Sequence, residues 1–320
     1  MFKHVLVPLD GSVLAECVLP HTVAFAKAFQ AKVTLVRILS GSADEGGDLV
    51  DLFDWRLEKA EAQLYLERVA QNLLAEGLKI NMAILEGPIA ERIVEYAAAE
   101  QVDLLILSSH GLSGFSGWNV SSVVQQIIVR AYLPVLIVRA NHTKFSELQE
   151  VKYQKILVPL DLSTRAECAL SAATWIARHH GSLLLPMHLV AKPEMPRRTP
   201  LTNEERMLTE QLVNRNRKEA THYLEEVRHR LTCEEFNIKP VVQVCTSTAS
   251  ALHDMIEAEK IDLVVLCAHG YSSENKWPFG SITTNLIAYS SMPLLIVQDL
   301  TFSDSDYTRF DDFQQQHLGH

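Results

Sequence analysis

The sequence predicts an α/β protein built of two repeated, doubly wound domains, and three observations carry that expectation. The first is self-similarity. VLVPLDGSVLAECVL at 5–19 matches ILVPLDLSTRAECAL at 156–170, and VDLLILSSHGLSGFSGWNVSS at 102–122 aligns without gaps with IDLVVLCAHGYSSENKWPFGS at 261–281. LPVLIVR at 133–139 pairs with MPLLIVQ at 292–298. A period of roughly 150 residues is too long for a solenoid unit and means two copies of one domain. The second observation is that the strand-like segments are near-continuous apolar runs, as expected of parallel strands buried on both faces. The third is that these runs alternate with helix-length stretches, the pattern of a layered α/β domain. Each copy is therefore expected to be a five-stranded parallel sheet with helices on both faces, a Rossmann-like arrangement.

The elements follow in the same order in both copies. A first strand, HVLVPLD or KILVPLD, leads into a helix opened by Ser12 or Ser163, whose hydroxyl suits an N-cap. A second strand follows, KVTLVRIL or SLLLPMHLV, and then a long helical segment. In copy two Ala220, Tyr223, Leu224, Val227 and Leu231 fall at helical spacing on one face. A third strand (INMAILEG, PVVQVCT), a helix, a fourth strand (DLLILSS, DLVVLCA), a polar loop, a helix and a last strand complete each copy. Domain one is assigned to 1–140 and domain two to 154–300, with a polar linker at 141–153. The segment 301–320, rich in Asp, Ser and Gln, reads as a flexible tail. Copy two also carries an insertion, KPEMPRRTPLTNEERM, ahead of its long helix.

Composition excludes several classes. A net charge of −10 argues against nonspecific binding to nucleic acid or to an anionic membrane. The apolar runs are far shorter than the roughly 20 residues needed to span a bilayer. MFKHVLVPLDGS has no apolar signal region, so a cytoplasmic protein without a signal peptide is expected. Cys17, Cys168, Cys233, Cys245 and Cys267 are odd in number and form no CxxC pair, which fits a reducing compartment.

Ligands of open parallel sheets sit outside the carboxyl ends of the strands, where strand order reverses. Those ends carry Asp10 and Asp161 after strand one, the residues after strand two, and the loops 108–122 and 267–281. A glycine-bearing loop entering a helix offers backbone N–H groups and the positive end of the helix dipole to an anion. An aspartate on the neighbouring strand can accept from an adenine amine or a ribose hydroxyl.

The tandem copies, the VPLD opening and the His-Gly loop ending in Gly-Ser resemble the universal stress protein family over nearly the whole chain. The ATP-binding branch of that family carries Gly-x2-Gly-x9-Gly-Ser/Thr after the fourth strand. In copy two the pattern falls on Cys267, Gly270, Gly280 and Ser281, with His269 inside it. In copy one it falls on Ser108, Gly111, Ser121 and Ser122. Copy one lacks two of the three glycines and copy two one. The resemblance further implies that the base is held by Asp161 and the backbone at Leu189, with Asp10 and Ile38 as the weaker equivalents. It implies an adenine nucleotide such as ATP in copy two, with Mg2+ only alongside ATP, and a stress-response role with little turnover. It also implies antiparallel pairing of the two last strands, an intramolecular pseudo-dimer, and leaves a further homodimer open. The alternatives are an interaction protein with vestigial sites, acting through surfaces such as 192–206, and a slow ATPase.

Other residues have competing readings. His110 and His269 are general bases or metal ligands, or loop residues satisfied by the backbone. His179 and His180 end a helix before Gly181, where positive charge is favourable, and a metal there would need further partners. Trp118 and Trp277 cover the loop or stack on a base. Cys17 and Cys168 pack in the core or sense redox state. Ser122 and Ser281 have no evident base to activate them, so no catalytic residue and no metal site is assigned.

Overall fold

The computed structural model describes residues 1–39, 49–111, 120–140, 150–193, 202–231, 236–271 and 279–298. The expectations for Trp118, Trp277, Cys233, the tail 301–320, and most of the linker and the insertion lie outside the described residues. Copy one runs β1 (His4–Pro8), α1 (Val13–Glu16), α2 (Leu19–Phe29), β2 (Lys32–Leu39), α3 (Leu49–Ala75), β3 (Lys79–Glu86), α4 (Ile89–Ala99), β4 (Leu104–Ser108), α5 (Ser122–Arg130) and β5 (Val135–Val138). Copy two runs β6 (Lys155–Pro159), α6 (Cys168–His180), β7 (Leu183–Ala191), α7 (Asn203–Leu231), β8 (Asn237–Ile238), β9 (Val241–Cys245), α8 (Thr248–Glu259), β10 (Leu263–Cys267), α9 (Ser281–Tyr289) and β11 (Leu294–Val297).

Within copy one the parallel strands lie in the order β3-β2-β1-β4-β5, and copy two repeats that order with β11-β10-β6-β7 and then β8. The expected third strand of copy two is β9, and a short strand ahead of it, β8, also pairs with β7. Pro240 sits between the two, where it has no N–H for the ladder. Lys239 N–H still donates to Leu184 O at 2.9 Å. The first helix also departs from expectation. Ser12 Oγ accepts from Ala15 N–H at 3.0 Å and Ser163 Oγ from Ala166 N–H at 3.1 Å, so both serines cap only a short turn. The long helices start later, at Leu19 beside Pro20 and at Cys168.

The two last strands pair antiparallel, Leu294 opposite Ile137, Leu295 opposite Leu136 and Ile296 opposite Val135. The copies therefore share one continuous sheet, as the resemblance implies. Strand side chains alternate between its faces, and each face carries a core that crosses the seam. On one face Val5, Ile106, Leu136, Val158 and Leu295 pack under α2, α3, α6 and α7. On the other Leu6, Leu105, Ile137, Leu157 and Ile296 pack under α4, α5, α8 and α9. Ala220, Leu224 and Val227 are buried on α7, as the periodicity predicts.

The end of the segment expected to be a linker is part of this core. Tyr153 is 1% exposed, its OH lies 2.7 Å from His21 Nδ1 on α2, and its carbonyl accepts from Ser182 Oγ at 2.6 Å. Glu150 reaches Lys27 at 3.3 Å and His179 at 3.1 Å. Among the described residues no helix is long and apolar enough to cross a membrane.

Candidate functional site

In each copy the first strand has β2 or β7 on one side and β4 or β10 on the other, so strand order reverses at the β1/β4 and β6/β10 crevices. A cavity opens at the carboxyl end of each crevice. The copy-two cavity, about 200 Å³, is lined by all seven predicted residues: Asp161, Leu189, Cys267, His269, Gly270, Gly280 and Ser281. The copy-one cavity, about 330 Å³, is lined by Asp10, Ile38, Ser108, Gly111 and Ser121, while Ser122 is not on its wall. The copy with more of the expected glycines thus has the smaller hollow.

The aspartates are tied into the fold. Asp161 Oδ1 accepts from Ser163 N–H at 3.0 Å and from Ser163 Oγ at 2.6 Å, and Oδ2 accepts from Tyr271 N–H. Asp10 Oδ1 likewise holds Ser12 N–H at 2.9 Å and Ser12 Oγ at 2.6 Å. Each carboxylate therefore fixes the turn after the first strand, and Asp161 also anchors the loop after the fourth. This explains Gly111 and Gly270. A Cβ on Gly270 would lie 2.3 Å from Asp161 Oδ2, and one on Gly111 would lie 1.9 Å from Asp10 Oδ2. Neither glycine has a positive φ, so the close approach of the carboxylate is what demands glycine. A carboxylate has about four acceptor sites, and the three bonds at Asp161 among the described residues leave one.

Gly280 has a different setting. A Cβ there would meet only ordinary contacts, the nearest being Ala268 O at 3.7 Å. Its N–H donates to Ala268 O at 2.8 Å, so the amides that this turn could offer a ligand are those of α9 itself. Gly280 is the N-cap of α9 and offers no side-chain bond to it. At the same place in copy one Ser121 Oγ accepts from Val124 N–H at 3.3 Å. One of the first amides of α5 is thus satisfied internally, whereas α9 presents its first turn without a side-chain cap.

The first glycine position of the pattern differs between copies. Ser108 Oγ lies 2.9 Å from Leu14 O and 2.7 Å from His110 O, and Cys17 Sγ donates to it at 3.5 Å. Cys267 instead meets Cys168, with Sγ atoms 3.0 Å apart. His110 and His269 are buried against the loop, 3% and 4% exposed. His110 Nδ1 is 3.1 Å from Ser109 Oγ, and burial, reinforced by the Arg139 charge, holds the ring below its ordinary pKa. His179 and His180 gather around Glu150, with one ligand-capable atom from each within 4.8 Å of the others. The carboxylate is shared with Lys27, its ion-pair partner, so the cluster ties the segment at Glu150 to α2 and to the end of α6.

Three ionisable lining residues escape the sequence reading: Arg37 and Glu58 in copy one, and His188 in copy two. Arg37 and His188 had a signal, since each is an ionisable residue at the same place in the apolar second half of the second strand. Glu58 lies on a helix of mixed polarity that marks no position out. His188 Nδ1 donates to Leu160 O at 2.8 Å, which leaves Nε2 as the acceptor of the neutral ring. Burial lowers the His188 pKa and favours that neutral form.

The profile of the universal stress protein family matches residues 1–139 and 152–298. The chain belongs to the universal stress protein family. One relative is universal stress protein MJ0531 of Methanocaldococcus jannaschii, 30% identical over 145 residues, which make up 43% of this chain and 83% of that protein. Universal stress protein Rv2005c of Mycobacterium tuberculosis is 32% identical over 140 residues, 43% of this chain and 45% of that protein. Among solved structures, a universal stress protein from Archaeoglobus fulgidus superposes over 93% of this chain and 98% of its own, with a TM-score of 0.65 at 19% identity. That likeness establishes the tandem fold shared with this universal stress protein.

Proposed function

We propose that copy two binds an adenine nucleotide, ATP or a close relative, and that occupancy serves a regulatory role in a stress response. The observation that carries this reading is the first turn of α9. It opens without a side-chain cap beside a cavity whose wall holds Asp161 and His188, whereas the matching turn of α5 is capped by Ser121. The phosphates would lie over the α9 amides, where the helix dipole favours negative charge. The adenine amine would be met by the remaining acceptor site of Asp161 and by Nε2 of His188, with the backbone at Leu189 beside it. A cavity of about 200 Å³ is below the usual range of roughly 300–1,000 Å³ for ligand pockets. The base and ribose would therefore occupy the hollow while the phosphates remain in open solvent over the helix. Mg2+ would enter only with a di- or triphosphate.

Equilibrium dialysis of the whole chain with ATP tests the reading. One nucleotide per chain is expected, and Gly280→Ser, which gives α9 the cap of α5, is expected to weaken binding about tenfold or more. Absence of binding at millimolar ATP would overturn the proposal. Two nucleotides per chain would show that copy one, with its larger cavity, also holds one.

A further inference from the structure

Two sulfur atoms meet beside the copy-two cavity, whose wall includes Cys267. Cys168 opens α6 and Cys267 closes β10, 99 residues later, and their Sγ atoms lie 3.0 Å apart. The same contact exists in copy one, but there a thiol faces a hydroxyl, Cys17 Sγ to Ser108 Oγ at 3.5 Å. The repeat thus supplies an internal control, one framework carrying a sulfur–sulfur contact in one copy and a sulfur–oxygen contact in the other. Cys168 is half-buried and Cys267 buried, and none of the four described cysteines is in a disulfide.

We propose that Cys168 and Cys267 form a reversible dithiol–disulfide pair, oxidised by a hydroperoxide. The more accessible Cys168 reacts first. Its thiolate attacks the terminal peroxide oxygen, the O–O bond breaks, and the alcohol departs after taking up a proton, leaving Cys168 as a sulfenic acid. Cys267 sulfur then attacks the Cys168 sulfur. The S–O bond breaks, and hydroxide leaves with the Cys267 proton as water. Two thiols lose two electrons and two protons, and the peroxide is reduced to alcohol and water. A dithiol reductant reverses the bridge by exchange. Closure asks the sulfurs to approach from 3.0 Å to about 2.05 Å, a shift of about 1 Å. Copy one cannot follow, because its second partner is Ser108. Burial also pushes the Cys17 thiol up to about 11, which keeps it protonated at neutral pH.

The pair shares Cys267 with the wall of the nucleotide cavity, but its chemistry needs no nucleotide and is tested without one. Reduced full-length protein is treated with hydrogen peroxide, alkylated with iodoacetamide, digested without reductant and mapped by mass spectrometry. A peptide joining Cys168 to Cys267, lighter by two hydrogens and separated again by dithiothreitol, is expected. Cys267→Ser installs the pairing that copy one already accommodates, so the variant keeps a packed core. It should abolish the bridge and leave a sulfenic acid on Cys168 that dimedone traps. Recovery of both cysteines as alkylated thiols after peroxide would overturn the proposal. So would a bridge that joins either one to Cys17, Cys233 or Cys245, or direct passage of Cys168 to sulfinic acid in the unmutated chain.

Discussion

At the scale of single residues, the contact between Asp161 and Gly270 says most about how the loop after β10 is held. The aspartate is a strut between the end of β6, the turn at Ser163 and the loop at Tyr271, and glycine is the residue that lets it seat. Gly270→Ala should destabilise the chain by about 1–3 kcal/mol through overpacking. Asp161→Ala should remove most of that extra cost, because the atom in the way is gone. A double-mutant cycle by urea denaturation checks this, and additive effects would refute the strut. Buried histidines supply a second residue-scale prediction. Burial pushes both His21 and His180 down to about 4, below the ordinary 6.5. The unfolded chain then binds more protons between these values, so stability is full above pH 6.5 and falls as pH drops toward 4. For the deeply buried His21 the loss at pH 5 would be at most about 2 kcal/mol. Thermal melts from pH 7 to pH 5 should show the decline, and His21→Gln, which keeps a hydrogen-bonding group for Tyr153, should remove the His21 share of it and leave that of His180. None of this was legible beforehand. A sequence shows that Asp161 and Gly270 recur as Asp10 and Gly111, but not that each pair touches, because the contact joins positions that only the sheet brings together.

Elements were read more easily than the contacts between them, and the reasons are local. Strands such as LLILS and LVVLC are near-continuous apolar runs because both faces of the sheet are covered, and that signature survives without any knowledge of neighbours. β9 was legible as PVVQVCT, starting at a proline that cannot donate to a ladder, whereas the two-residue β8 before it is too short to leave a pattern. Ser12 and Ser163 were read as caps of long helices. They cap only a turn, because propensity sets which residue accepts an amide and not how many turns follow it. The caps of α5 and α9 can be exchanged. Gly280→Ser meets no clash and should stabilise α9 by a few tenths of a kcal/mol, while Ser121→Gly should cost α5 a similar amount. If the proposed nucleotide site is right, the two effects of Gly280→Ser separate. The melting temperature rises slightly while ATP affinity falls. A variant that loses stability and affinity together would instead point to a disrupted turn.

The whole molecule is organised by the seam between β5 and β11. Val135, Leu136, Ile137, Leu294, Leu295 and Ile296 are all 1% exposed or less, so the edge strand of each copy is hidden by the other. Contacts beyond the strands reinforce the join. Arg139, after β5, donates to Leu286 O at 3.1 Å and to Ile287 O at the end of α9, a place where a cation is favoured. Tyr153 lies between α2 and α6, and Phe29 of α2 meets Trp175 of α6 with ring centroids 6.5 Å apart. Two cores that both cross the seam leave no plane along which the copies separate without exposing apolar surface. The chain should therefore unfold in urea as one transition, with near-ultraviolet circular dichroism and tryptophan fluorescence coincident. Leu295→Ala, in the middle of the seam, should lower stability by about 2–5 kcal/mol while keeping the probes together. Leu295→Asp buries an unpaired charge between the copies and should separate the probes into two transitions. Two transitions in the unmutated chain would mean that each copy carries its own stability and that the seam is a contact between finished domains.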